Sequence, residues 1–150
     1  MKIAILLPYK ENFSKDYAGA VSIFIKDTVK ISKFKKKIII YGSTKLKNIL
    51  LKNYINLNFE KKFFQSGSSV YLNKFLEKEK KIKSDIIEVH NRPNYIKPLL
   101  ELDYTKLVLY FHNDPLQMQG SKSTKDREYL LNNLSYIVFN SEWSKNRFIK

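Results

Sequence analysis

Two short stretches carry the side chains best suited to chemistry, and they echo each other. Val89-His90-Asn91-Arg92-Pro93 and Phe111-His112-Asn113-Asp114-Pro115 each set an imidazole, an amide and a proline behind an apolar run. Imidazole and amide give directional hydrogen bonds and the Arg92 guanidinium counters negative charge, so His90, Asn91 and Arg92 suit an anionic or hydroxylated ligand. The alternative is that these side chains satisfy neighbouring backbone at a strand end, and His112, Asn113 and Asp114 offer the same choice. A metal held by both histidines and Asp114 is chemically possible, but the spacing matches no zinc pattern, so the expectation is no metal site.

Three other places could bear chemistry. Tyr17-Ala18-Gly19-Ala20 is a small-residue turn running into a helix, where exposed amides can meet a phosphate or a substrate; simple helix initiation explains it as well. Ser141, Glu142 and Ser144 read as a helix cap, with phosphate or sugar binding as the other reading. Glu88 sits inside an apolar strand, where an unpaired carboxylate is expensive, and is expected to find a lysine, a hydroxyl or backbone amides in a structural role. No Gly-x-Gly-x-x-Gly and no Gly-x-x-x-x-Gly-Lys-Ser/Thr occurs among the four glycines, which argues against an independent dinucleotide or NTP site.

The elements that must position these groups alternate between strand and helix. Strands are expected over Lys2 to Pro8, Lys36 to Ser43, Asp85 to His90, Thr105 to Phe111 and Tyr136 to Phe139, from short apolar runs rich in branched and aromatic residues. A polar loop fills Tyr9 to Ala18. The spacing of Val21, Phe24, Ile25, Thr28 and Val29 predicts an amphipathic helix. A second helix is predicted from Ser68 to about Lys83, capped by Ser68 or Ser69, with Leu72, Phe75 and Leu76 inward. Pro98 shortens or breaks a helix over Asn94 to Leu102, Pro115 to Ser123 reads as a loop, and helices are expected over Lys125 to Leu134 and from Ser141 onward. Between Thr44 and Phe64, Leu46, Ile49 and Leu50 suggest a short helix and Ile55, Leu57 and Phe59 an edge strand. The alternation predicts an α/β parallel sheet covered on both faces. Ligands of such a sheet bind beyond the carboxyl ends of its strands, so both imidazoles are expected along one rim, facing a shared opening.

Composition sets the frame. The 150 residues form one domain (1–150) with room for a real core, and 43% apolar and 14% aromatic content is that of a globular chain. Without cysteine there are no disulfides or thiolate metal sites, and the apolar run Ile3 to Leu7 is too short for a signal peptide or membrane span; the expectation is a cytoplasmic protein. The chain stops inside an amphipathic pattern at Trp143, Phe148 and Ile149, as if a longer protein had been cut. A formal charge of +14 favours anionic partners. Yet only Arg92, Arg127 and Arg147 are arginines, and lysine is a point charge that serves solubility as readily as recognition. Lys45, Lys47, Lys52, Lys61 and Lys62 alternate with Leu46, Ile49, Leu50, Leu51, Tyr54, Phe59, Phe63 and Phe64, a mixture that could rest on an anionic membrane or form an ordinary solvated face.

The first strand with its small-residue turn, then Asp85-Ile-Ile-Glu-Val-His-Asn-Arg-Pro93, Leu109-Tyr-Phe-His-Asn-Asp-Pro115 and Tyr136-Ile-Val-Phe-Asn-Ser-Glu-Trp143, resemble the amino-terminal domain of a family 4 glycosyltransferase. The resemblance spans almost the whole chain. It implies one Rossmann-like half of a GT-B fold, the half that mainly binds a glycan or lipid-linked acceptor. The nucleotide-sugar would be held by a second, carboxyl-terminal domain, absent here together with its paired-glutamate motif. The implied reaction is hexosyl-type transfer from the nucleotide-sugar, a substrate and not a cofactor, with retention of configuration and no obligatory metal, in polysaccharide or cell-envelope biosynthesis. The isolated half would be inactive. His112 would lie beside the transferred sugar as the catalytic residue. His90, Asn91 and Arg92 would face the acceptor, and Ala18, Gly19, Ala20, Asn113, Ser141 and Glu142 complete the substrate-binding set. The family has two glycines in the first turn; Ala18-Gly19-Ala20 keeps one. The implied location is cytoplasmic, peripheral at the inner membrane face.

Two rival readings remain. A stand-alone basic α/β module would bind nucleic acid or another polyanion with strong salt dependence, but the lysines are spread along the chain and no nucleic-acid motif accompanies them. A phospho-receiver domain needs clustered acidic residues after the first strand, where Pro8-Tyr9-Lys10 stands.

Overall fold

The computed structural model describes residues 1–60 and 64–150. Six parallel strands form one sheet: β1 (Ile3–Leu6), β2 (Ile38–Gly42), β3 (Tyr54–Asn56), β4 (Ile86–His90), β5 (Lys106–Phe111) and β6 (Tyr136–Phe139). Their order is β3-β2-β1-β4-β5-β6, so the connections run outward in opposite directions from the β1/β4 pair. With flanking helices this is a Rossmann-like α/β fold, as the alternation of elements requires.

Helix α1 (Ala20–Ile31) joins β1 to β2, while α2 (Gly67–Ile82), α3 (Ile96–Leu99) and α4 (Thr124–Asn133) lead into β4, β5 and β6, and α5 (Glu142–Ile149) follows β6. Right-handed crossovers running in opposite directions place helices on opposite faces. Accordingly α1 packs Val21, Ile25 and Val29 on Ile5, Leu7, Ile38 and Ile40. The alternate residues Ala4, Leu6, Ile87, Val89, Leu107, Leu109 and Phe111 meet Leu72, Phe75, Ile96, Leu130 and Phe148 on the other side. On the α1 side, the face of β4–β6 carries Glu88, Val108, Tyr110 and Val138 half-exposed and Tyr136 exposed.

Four expectations are corrected. Leu46, Ile49 and Leu50 form no helix: Ile49 makes an isolated antiparallel bridge to Ser14 and the Leu50 N–H donates to the Phe13 carbonyl, so the apolar character of Ile49 and Leu50 reflects packing against the α1-side core, while the Leu46 N–H donates to the Thr44 hydroxyl. The edge strand contracts to Tyr54–Asn56. Ser66, not Ser68 or Ser69, caps α2 by accepting from the Ser69 N–H; the Ser68 hydroxyl is committed to Tyr95 Oη at 2.8 Å. In α5 only Phe148 of the three apolar residues is buried, whereas Trp143 and Ile149 are exposed.

The basic, aromatic stretch is divided in a way that accounts for its composition. Ile49, Leu50, Leu51 and Tyr54 pack against the core, with Tyr54 stacked on Phe13, while Lys45, Lys47 and Lys52 stay exposed. Lys61, Lys62 and Phe63 lie outside the described residues. No helix among the described residues is long and apolar enough to cross a membrane.

Candidate functional site

Register decides what the two histidine motifs become. His90 stands level with Tyr110 and not with His112, so β5 carries its histidine two residues, about 7 Å, further along the strand direction. His112 therefore reaches the rim half-exposed, while His90 is fully buried one pleat behind it. The expectation that both imidazoles face an opening is corrected to this extent: His112 does, and His90 has no solvent-exposed surface.

The two rings touch. His90 Nδ1 lies 2.8 Å from His112 Nε2, and His90 Nε2 lies 2.7 Å from Glu88 Oε1. Glu88 thus finds a histidine where a lysine, hydroxyl or backbone amide was anticipated, because residues two apart share a face of a strand. Around them, Tyr110 stacks on both imidazoles and Phe24 of α1 meets His112 edge-on. This apolar enclosure lowers the His112 pKa to about 4: desolvation contributes most, the neighbouring His90 lowers it further, and Glu88 pulls it back up. His112 is a neutral imidazole at physiological pH.

Asparagines lace the strand ends to His112. Asn91 adopts a left-handed φ of 52°, a conformation that asparagine tolerates better than most residues. In that posture its N–H donates to the Tyr110 carbonyl at 2.9 Å and its Oδ1 accepts from the His112 N–H at 2.7 Å. From β6, Asn140 Nδ2 donates to the His112 carbonyl at 2.8 Å. The backbone of His112 is thereby held from both sides.

An open cavity of about 410 Å³ lies at the point where the strand order reverses. Ala20, Asn91, Arg92, His112 and Asn113 line it, all residues singled out in the sequence, joined by Pro8, Glu11, Val21 and Asn140. Arg92 donates from Nη1 to the Asn91 carbonyl at 2.8 Å. It also borders a larger cavity of about 650 Å³, whose wall includes Tyr9, Ser68, Tyr95 and Gln119.

Other expected site residues fall elsewhere. Ala18, Gly19, Ser141 and Glu142 do not line the switch-point cavity. Ser141 accepts from the Ser144 N–H as the cap of α5, and Glu142 is exposed, 3.7 Å from Lys145. Asp114 is engaged by Arg147, through Nη2 to Oδ2 at 2.9 Å and Nε to Oδ1 at 3.3 Å, which holds its carboxyl below the usual carboxylate range. Among the described residues no group of three His, Asp or Glu side chains is arranged to hold a metal ion.

Sequence reasoning passed over Glu11 and Asn140. Glu11 Oε1 accepts from the Ser22 N–H at 3.0 Å, so the chain's own carboxylate occupies the start of α1 where a phosphate was considered. Nothing in the loop sequence marks it, since Glu11 is eleven residues from its partner. Asn140 had a signal: like Asn91 and Asn113, it is an amide immediately following an apolar strand.

A scan against protein-family models finds no match, and a search of curated proteins finds none.

Proposed function

We propose that this domain is the acceptor-binding half of a glycosyltransferase of family 4 type, which moves a sugar from a nucleotide-sugar donor to a hydroxyl of a glycan or lipid-linked acceptor. The supporting observation is the convergence of His112, Asn91, Arg92, Asn113 and Asn140 on one open cavity at the reversal point of a Rossmann-like sheet. Amides, an uncharged imidazole, a single guanidinium and the Glu11 carboxylate, itself engaged by the Ser22 N–H, form a surface suited to a hydroxyl-rich ligand whose anionic groups lie toward Arg92. The larger cavity beyond Arg92 offers room for an acceptor. A donor domain facing this rim would complete the enzyme, and transfer would rest on stabilising charge at the leaving diphosphate and the sugar, not on covalent chemistry. The cytoplasmic face of a membrane is the location this reading implies.

The experiment is sugar transfer from a panel of nucleotide-sugars by the full polypeptide that carries this domain. His112→Ala is expected to lower kcat roughly a hundredfold, the scale of losing one preorganised polar group. Transfer undiminished in that variant, or no transfer from any donor, would overturn the proposal.

A further inference from the structure

We infer that Glu88, acting through His90, fixes the tautomer of His112, so that His112 presents Nδ1 to the switch-point cavity as a hydrogen-bond acceptor for a ligand hydroxyl. The chain of contacts is continuous: Glu88 Oε1 to His90 Nε2 at 2.7 Å, then His90 Nδ1 to His112 Nε2 at 2.8 Å. A carboxylate only accepts, so His90 must carry a proton on Nε2. A neutral imidazole has one N–H, which leaves His90 Nδ1 as an acceptor. The proton between the rings then belongs to His112 Nε2. Its Nδ1 is left as a lone pair, with no partner among the described residues and in a side chain that lines the cavity.

The competing arrangement protonates both nitrogens of His90. That would bury a full charge on a ring with no solvent exposure, packed against Tyr110 and near Phe24 beside a second desolvated imidazole. The carboxylate meanwhile keeps its charge where it is cheapest, since the Glu88 side chain retains 29% exposure on the open face of β4. The negative group is therefore hydrated, and two neutral rings relay its preference to the cavity.

The consequence is chemical selectivity at one point of the wall. A hydroxyl can donate to Nδ1, whereas a fully ionised phosphate oxygen would face its lone pair. Within the cavity, anionic groups are directed toward Arg92 and hydroxyl donors toward His112. That the occupant is a sugar rests on the reading above; the polarity of His112 does not.

Long-range 1H–15N correlation spectra of the uniformly 15N-labelled chain at pH 7.5 test this without a ligand. Both histidines are expected to show a protonated Nε2 and an unprotonated Nδ1. In Glu88→Ala, with the amide spectrum reporting an intact fold, the ring nitrogens of His112 are expected to move toward the averaged values of exchanging tautomers. A wild-type His112 protonated on Nδ1, an imidazolium at His90, or tautomers unchanged by Glu88→Ala would each overturn the inference. Should Glu88→Ala fail to fold, the wild-type spectrum alone decides. Loss of sugar transfer with the expected tautomers would count against the transferase reading and leave the relay standing.

Discussion

Glu11 and Ser22 are joined by a 3.0 Å hydrogen bond from the Ser22 N–H to the Glu11 carboxylate, which makes a distant loop residue the anion at the start of α1. The nominal cap, Gly19, has no side chain with which to do this, and a Cβ placed there would run into the Glu11 carboxylate. Glu11→Ala is therefore expected to destabilise the fold by about 1 kcal/mol, the usual scale of a lost helix cap, as read by urea denaturation. Gly19→Ala should be harmful with Glu11 present and better tolerated in Glu11→Ala, because the obstacle is the end of a flexible side chain.

Acid should weaken the protein through His112. Its folded pKa of about 4 lies below the unfolded value of 6.5, so the unfolded chain takes up the proton first. The contribution is complete above pH 6.5 and is lost as pH falls from there to about 4, for a total of about 2 to 3 kcal/mol once solvent screening of the half-exposed ring is allowed for. His112→Gln should flatten that part of the stability curve. Equal pH dependence in urea midpoints of wild type and variant would refute it.

Tyr71 ties the sheet to α2 close to the rim. Its buried hydroxyl donates to the Leu7 carbonyl at 2.9 Å and lies 3.2 Å from that of Tyr41, and burial drives its pKa well above the usual phenol range. Tyr71→Phe is expected to cost about 1 to 2 kcal/mol, measured by urea denaturation, since the Leu7 carbonyl gains no replacement donor in a dry setting.

Gly120 is required by its backbone. At φ 93° any side chain is strained, and a Cβ would meet the main chain of Pro93 and Asn94, which cannot swing aside. Gly120→Ala should lower stability by about 2 kcal/mol or more on thermal or urea denaturation. It should also displace the segment that follows Arg92.

The strands were legible because Ile38 to Tyr41 and Leu107 to Phe111 are short apolar runs, set between Lys37 and Gly42 and between Lys106 and His112, and the two histidine motifs advertised the rim. What hid was long-range. The echo between the motifs suggests His90 level with His112, yet the register sets His90 beside Tyr110, and register follows from packing that no local pattern encodes. Likewise Leu46, Ile49 and Leu50 have helical spacing, but Ile49 and Leu50 are claimed by Ser14 and Phe13, more than thirty residues earlier. Glu88 looked like an orphan charge because its partner, two residues on, was read as a ligand group.

The lacing of His112 by Asn91 and Asn140 has a thermodynamic corollary. Three adjacent strand termini are already immobilised relative to one another by side-chain amides, so an arriving molecule has little main-chain freedom to quench. Recognition at this edge should proceed with small structural rearrangement, its entropy loss falling mainly on the incoming partner and on the Arg92 side chain.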